Sequence, residues 1–195
     1  ELLRNLDFPL AAPSANPFGY ISPTKARHVI AQLGDRIPYV LDGGDCDVGI
    51  ESTIIEPMGV DCNVLRLGGL ELGKLTPYFN NFNRMLNKSS NPSAPGQLAK
   101  HYSPRKEISV FERKEEMPES NTATYILFDS TIEGIPEKNQ LILSKKSDLN
   151  EAASNVFSFL READEMEGNE IFALKLPEVG LGLAINDRLH RAAAK

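Results

Sequence analysis

Four polar residues within positions 14–66 could bind or place a substrate. Ser14 and Asn16 follow a short apolar stretch, and a hydroxyl two residues from a carboxamide can bond phosphate oxygens or the polar groups of an amino acid. Ser52 lies among β-branched residues, where a buried hydroxyl needs a partner. Arg66 lies between two leucines, and its planar fork suits phosphate or carboxylate. The structural alternatives are an ordinary turn, matched strand hydroxyls and an internal salt bridge.

A histidine and a tyrosine lie side by side at His101-Tyr102, after a stretch rich in Ser, Asn, Pro and Gly that is typical of a linker. The tyrosine ring can stack or donate a hydrogen bond, and the imidazole can pair with a phosphate. We therefore expect a lid that closes over a site in the first domain. The alternative is that Tyr102 packs permanently between the domains.

The pattern of apolar residues predicts two α/β units. In the first we expect a helix that starts at the cap Ser22 and stops at Gly34, with strands at 37–41, 48–55 and 64–66. In the second we expect strands at 108–111, 125–128, 141–143 and 171–176, a helix capped by Asp148, and a last helix at 184–194. The alternation of strand and helix predicts a small doubly wound domain with parallel pairing.

Composition excludes several classes of protein. The chain has 195 residues and a net charge of −6, so it is a poor general binder of nucleic acid. It has no apolar run of about 18–20 residues, and we expect a cytoplasmic protein that does not span a membrane. Cys46 and Cys62 are expected to be buried thiols, and His28 and His190 to be solvated. P-loop, HExxH, zinc-ligand and GxSxG patterns are absent.

Several segments, in their order and spacing, resemble the YrdC/Sua5 family of threonylcarbamoyl-AMP synthases. They are the Ser-x-Asn segment 9–19 with 22–24, then 41–44, 48–54, 64–66, 95–96 with 101–104, and 180–189. The resemblance implies an α/β fold in three parts. These are the C-terminal portion of a YrdC-like domain with a twisted open sheet (residues 1–80), an interdomain linker (81–105), and a small Rossmann-like Sua5 domain (106–195).

The same resemblance implies a nucleotidyltransferase that joins ATP, L-threonine and bicarbonate into threonylcarbamoyl-AMP, releasing pyrophosphate, for the t6A modification of tRNA. Mg²⁺ would arrive with ATP. Such chemistry needs positioning and charge neutralisation more than a protein nucleophile. The roles implied are contact with threonine for Ser14 and Ser52, contact with ATP for Asn16, Thr24, Arg66 and Tyr102, and a place in the lid for His101.

Family members carry an N-terminal half, with a Lys-x-Arg motif for phosphates, before the Ser-x-Asn segment. The chain opens just upstream of that segment, so we expect a fragment that is inactive by itself. Two other functions stay open. One is an RNA-binding module, and the other is a carbamoyltransferase that forms carbamoyl-adenylate. The linker and C-terminal domain argue against the second, and the excess of acidic residues argues against the first. The C-terminal unit, which shows no catalytic cluster, could also be purely structural.

Overall fold

The computed structural model of the chain describes residues 1–85 and 101–194. In the first unit, strand β1 (Ile54–Met58) pairs antiparallel with β2 (Asp61–Arg66), and β2 pairs parallel with β3 (Phe82–Arg84). One helix, α1 (Ala26–Leu33), precedes this sheet. Single turns of 3₁₀ helix lie at Leu2–Asn5, Gly34–Arg36 and Leu72–Leu75.

The second unit is built on a four-stranded, fully parallel sheet with the order β4-β7-β5-β6. Helix α2, which is capped by the Asp148 carboxylate as the sequence predicts, leads into β7, and α3 follows β7. This confirms the predicted α/β class with parallel pairing. The elements are β4 (Glu107–Phe111), β5 (Thr124–Leu127), β6 (Gln140–Ile142), α2 (Leu149–Glu165), β7 (Glu170–Leu174) and α3 (Gly182–Ala193).

One apolar core runs through both units. Ile21, Ile50 and Val64 of the first unit belong to the same buried cluster as Phe157 of α2 and Ile185 of α3. Burial of large aliphatic and aromatic side chains contributes roughly 1.5–3 kcal/mol each, so this shared core holds the two units together. Among the described residues, no helix has both the length and the apolar character needed to cross a membrane.

Polar bonds reinforce the contact between the units. Arg161 of α2, 5% exposed, donates to the backbone carbonyls of Ile21 and Ser22. The Tyr20 hydroxyl donates to Asp164 of α2 at 2.7 Å. These bonds satisfy buried charge and carbonyl groups across the interface, as a stable buried contact requires.

Three predictions about the first unit are wrong. Residues 37–41 form no strand, because Tyr39 and Leu41 are 88% and 80% exposed and nothing in the described part of the chain pairs with them. The strand expected from residue 48 begins only at Ile54, since Gly49 has a φ of +75°. Helix α1 starts at Ala26 instead of after Ser22, whose hydroxyl donates to the Glu51 carboxylate at 2.8 Å and caps nothing.

Two side chains differ in exposure from what we expected. Cys46 is exposed, whereas Cys62 is buried as predicted, and both are free thiols. His28 is buried instead of solvated, and its Nδ1 accepts a hydrogen bond from the Thr24 backbone N–H at 3.2 Å. Burial, with smaller effects from nearby cations, lowers the pKa of His28 to about 4. This imidazole is therefore neutral at pH 7 and belongs to the packing of α1 against the second unit.

Candidate functional site

Arg66 and Ser52, which are 14 residues apart, are brought into direct contact at the end of β2. The Arg66 Nε donates to the Ser52 backbone oxygen at 3.0 Å, and its Nη2 donates to the Ser52 Oγ at 3.1 Å. Two bonds to one residue fix both the place and the tilt of the guanidinium. Burial lowers the pKa of Arg66, and the nearby Tyr102 and Glu51 act against that shift. Arg66 stays charged at physiological pH.

Tyr102 closes this cluster from the side of the second unit. Its side chain is 1% exposed, and its ring lies 5.2 Å from the Phe157 ring and 5.4 Å from the Arg188 guanidinium carbon. Burial raises the pKa of Tyr102 to about 12, so the phenol keeps its proton and can donate a hydrogen bond. Its φ of +61° lies in the left-handed region, which is costly for a bulky residue and persists only where the surroundings enforce it.

The residues beside Tyr102 tie this segment to both units. The His101 backbone N–H donates to the Arg191 carbonyl of α3 at 3.3 Å, and the Ser103 N–H donates to the Gly19 carbonyl at 2.9 Å. The His101 Nδ1 and the Ser103 Oγ are buried, and neither has a hydrogen-bond partner among the residues that the structure describes. Buried polar atoms normally have partners, so these two atoms are open to a ligand or a water molecule. The remainder of the expected lid, residues 96–100, lies outside the described residues.

The Ser-x-Asn segment contributes to a cleft that reaches Glu51, the residue before Ser52. Ser14 is exposed and lines a cleft of about 430 Å³ that also contains Ser22, Glu51 and Phe157. The Asn16 amide Nδ2 donates to two backbone carbonyls of its own loop, at 2.9 and 3.0 Å. Its Oδ1 is buried and has no partner within residues 1–85 and 101–194. The Ser-x-Asn segment thus offers two polar groups for a ligand, the Ser14 hydroxyl and the Asn16 amide oxygen.

Thr24 is placed differently from the other predicted site residues. Its side chain is buried, and its hydroxyl lies 3.0 Å from the Ser158 Oγ of α2 and 3.5 Å from the His28 Nδ1. These contacts belong to the packing between the units. The role of Thr24 in binding ATP stays a prediction.

Two charged residues at the site are not identifiable from spacing alone. Glu51 accepts from the Ser22 hydroxyl and from Arg188, a residue 137 positions away that is 0% exposed. One signal for Arg188 does exist in the sequence. Arg188 lies on the same face of the last helix as the apolar Ile185 and Leu189, and a charge on a buried helix face indicates a buried partner.

A Lys-x-Arg triplet occurs after the Ser-x-Asn segment, at Lys25-Ala26-Arg27, instead of before it. Lys25 pairs with Asp45 at 2.7 Å. Arg27 is exposed and lines a separate cleft of about 820 Å³ between α1 and α2, which also contains Arg105 and Arg161. This triplet is not part of the cluster formed by Ser52, Arg66 and Tyr102.

Close packing of Gly68 leaves no space for a larger residue beside Ser52. A Cβ at Gly68 would lie 2.3 Å from the Glu51 backbone oxygen and 2.4 Å from the Ser52 carbonyl carbon. We expect Gly68→Ala to lower the free energy of unfolding by about 1–3 kcal/mol, because the backbone of residues 51–52 must shift. Gly73→Ala is the control, since nothing lies within 4 Å of a Cβ there. Urea denaturation measures both, and equal midpoints would contradict this packing.

Two family models match the chain. The model described as "Threonylcarbamoyl-AMP synthase, C-terminal domain" matches residues 64–194, and the model described as "Telomere recombination" matches residues 1–68. A threonylcarbamoyl-AMP synthase of Bacillus subtilis is 29% identical over 204 residues, which are 98% of this chain and 59% of that protein. One of Schizosaccharomyces pombe is 31% identical over 220 residues, 99% of this chain and 54% of that protein. The chain thus spans little more than half the length of these curated relatives.

Solved structures of one related protein show the same fold. The crystal structure of P. abyssi Sua5 complexed with L-threonine matches with a TM-score of 0.78 at 28% identity, over 93% of this chain and 56% of that one. A variant of P. abyssi Sua5 with an adjacent histidine and tyrosine both replaced by alanine matches with a TM-score of 0.77 at 26% identity, with the same coverage.

Proposed function

Since the chain belongs to the threonylcarbamoyl-AMP synthase family, we propose that it forms part of an enzyme that makes L-threonylcarbamoyladenylate from ATP, L-threonine and bicarbonate, with release of pyrophosphate. The observation that carries this proposal is the contact of the Arg66 guanidinium with Ser52, beside Tyr102. A fixed cation, a serine hydroxyl and a protonated phenol suit a reaction in which phosphate charge must be neutralised while an amino acid is held nearby.

On the nucleotide side we propose that Arg66 and Asn16 contact ATP. Arg66 is held rigidly by Ser52, and a guanidinium fixed in this way binds phosphate oxygens at a smaller cost in side-chain entropy. The Asn16 Oδ1, for which the described part of the chain supplies no partner, can accept a hydrogen bond from a ligand. Burial of the Asn16 Oδ1 costs solvation free energy, which is recovered when a ligand supplies the hydrogen bond.

On the amino-acid side we propose that Ser14 and Ser52 contact L-threonine. P. abyssi Sua5 has been crystallised with L-threonine, which supports the same substrate here. Ser14 faces the cleft that also contains Ser22 and Glu51, and Ser52 follows Glu51 directly. Both serine hydroxyls can bond the carboxylate, ammonium or hydroxyl of an amino acid.

We further propose that His101 and Tyr102 cover the nucleotide. This chain carries a His-Tyr pair of the kind replaced by alanine in the P. abyssi Sua5 variant. The bond from Ser103 to Gly19 places the pair against the Ser-x-Asn loop, and none of the described residues bonds the His101 Nδ1, which can therefore bond a ligand. Burial lowers the pKa of His101, so the ring is largely neutral at pH 7. A cover of this kind excludes water from a mixed anhydride that water would otherwise hydrolyse.

Mg²⁺ is proposed to enter as part of the Mg–ATP substrate. The described residues contain no group of three His, Cys, Asp or Glu side chains that could hold a metal ion. Mg²⁺ keeps several of its waters and binds substrate phosphates, so the ion would be held mainly by the phosphates and water. The product would be consumed by the t6A transfer machinery. That partner, a contact with RNA and the cytoplasmic location stay predictions.

Amino-acid selectivity tests this proposal. The complete protein is assayed for pyrophosphate release with ATP, bicarbonate and either threonine or valine. Valine has nearly the shape of threonine but lacks the hydroxyl, and a site built to bond that hydroxyl leaves its own groups unpaired without it. We expect kcat/KM for threonine to exceed that for valine by at least about 100-fold. A reaction without bicarbonate is the control, and equal rates with both amino acids would contradict the assignment.

A further inference from the structure

Helix α3 of the second unit carries an arginine that reaches into the first unit. Arg188 is 0% exposed, and its Nε and Nη2 donate to the Glu51 Oε2 at 3.1 and 3.0 Å. Its Nη1 donates to the Asp187 Oδ2 at 3.0 Å. A fully buried guanidinium is costly to desolvate, and this one is matched by two carboxylates that are themselves mostly buried. Such an arrangement holds its members in one geometry.

Through Glu51, this arginine acts on the residues of the proposed site. The Glu51 backbone oxygen accepts from the Gly69 N–H at 2.9 Å, so both the side chain and the main chain of Glu51 are held. Ser52 is the next residue, and it accepts hydrogen bonds from the Arg66 Nε and Nη2. The place of the Arg66 guanidinium therefore depends on where Arg188 holds Glu51.

The same arginine contacts the cover of the site. Its guanidinium carbon lies 5.4 Å from the centre of the Tyr102 ring, within the range of a cation–π contact. One turn further along α3, the Arg191 carbonyl accepts from the His101 N–H. Helix α3 thus touches both the segment that carries Ser52 and the segment that carries Tyr102.

We propose that Arg188 is a positioning residue for the synthase reaction. From the second unit, it keeps Ser52, Arg66 and Tyr102 in fixed positions relative to one another. This inference rests on the proposed function and gives the C-terminal unit a role in it. Arg188 is covered by protein on all sides, so it acts through Glu51 and Tyr102. An ion pair that only joined the units would be replaceable by any contact of similar strength, whereas a positioning residue requires this geometry.

The test uses four variants of the complete protein: Arg188→Met, Arg188→Lys, Glu51→Gln and the double variant with Glu51→Gln and Arg188→Met. The control is Tyr20→Phe, which removes the 2.7 Å bond to Asp164 between the same two units and touches none of Ser52, Arg66 and Tyr102. Melting temperature and the kcat and KM values for ATP and threonine are measured for each. The double variant leaves no unpaired charge at this pair, so it serves where a single variant does not fold.

We expect Arg188→Met to lower kcat/KM at least tenfold and Arg188→Lys to recover part of it, since lysine keeps the charge but lacks the fork. The double variant should lose no more than the worse single variant, because the two groups act as one unit. Tyr20→Phe should lower the melting temperature without a change in kcat/KM.

Two results would overturn the inference. One is a folded Arg188→Met or double variant with the kcat/KM of the wild type. The other is a loss of kcat/KM in Tyr20→Phe equal to that in Arg188→Met, since both would then act through the joining of the units alone. A wild-type protein that releases no pyrophosphate contradicts the proposed function, and this inference with it. An active wild type with an unaffected Arg188→Met variant contradicts this inference alone.

Discussion

Replacing Arg66 by alanine in the complete protein is expected to weaken ATP binding at least tenfold. A hydrogen bond to a charged group contributes about 1.5–3 kcal/mol, and about 1.4 kcal/mol corresponds to a factor of ten in affinity. Arg66 is already fixed by its two bonds to Ser52, so the loss falls on the ligand contact. Isothermal titration calorimetry with Mg–ATP measures this difference directly.

A second arginine of the same sheet provides the control for this measurement. Arg84 ends β3, whose register places it beside Val64 of β2, and its side chain is exposed. Arg84→Ala removes the same charge from the same sheet and should leave the ATP affinity within about twofold, as expected for an exposed surface group. Equal losses in the two variants would mean that overall charge, and not the contact made by Arg66, holds the nucleotide.

The sequence predicts the second unit well because its signals are local. Each strand of that unit is a short apolar run, α2 has a stripe of apolar residues and a capping aspartate, and the parallel sheet follows from the alternation of strand and helix. None of these features depends on a distant residue.

The first unit is less predictable because its elements depend on contacts with the second. Residues 48–53 have the composition of a strand, yet a Cβ at Gly49 would lie 2.4 Å from the Ala153 backbone oxygen of α2. This close approach, together with the positive φ of Gly49, replaces the expected strand by a loop packed on a helix. Composition cannot reveal such an approach, since its cause lies 104 positions away.

The candidate site is also predictable from the sequence only where its contacts join residues that are close along the chain. Ser52 and Arg66 are close in sequence, and a strand that turns back on itself brings them together, so residue type and spacing were sufficient to single them out. The pairing of Glu51 with Arg188 spans 137 residues and two units, and no local pattern specifies it. For Thr24, the residue type suggests a ligand contact, but its hydroxyl lies against Ser158 of α2.

Two substitutions at Tyr102 separate its role in packing from its role in the site. Tyr102→Ala removes a ring that is 1% exposed and packed between Phe157 and Arg188, so we expect the free energy of unfolding to fall by about 3–5 kcal/mol. Tyr102→Phe keeps the ring and removes only the hydroxyl beside Arg66. Its stability should stay within about 1.5 kcal/mol of the wild type, the net value of a typical hydrogen bond.

The two roles differ most clearly in the kinetics of Tyr102→Phe. The phenol stays protonated up to high pH, and we expect its loss to raise KM for ATP by at least about fivefold, an effect of roughly 1 kcal/mol. Tyr125→Phe is the matched control, because Tyr125 is also fully buried and donates to the Pro118 carbonyl at 2.5 Å, in a core cluster that does not contain Tyr102. It should lower stability and leave KM unchanged. If Tyr102→Phe has the wild-type KM for ATP, the Tyr102 hydroxyl does not contribute to ATP binding. The role of Tyr102 would then be the packing of its ring.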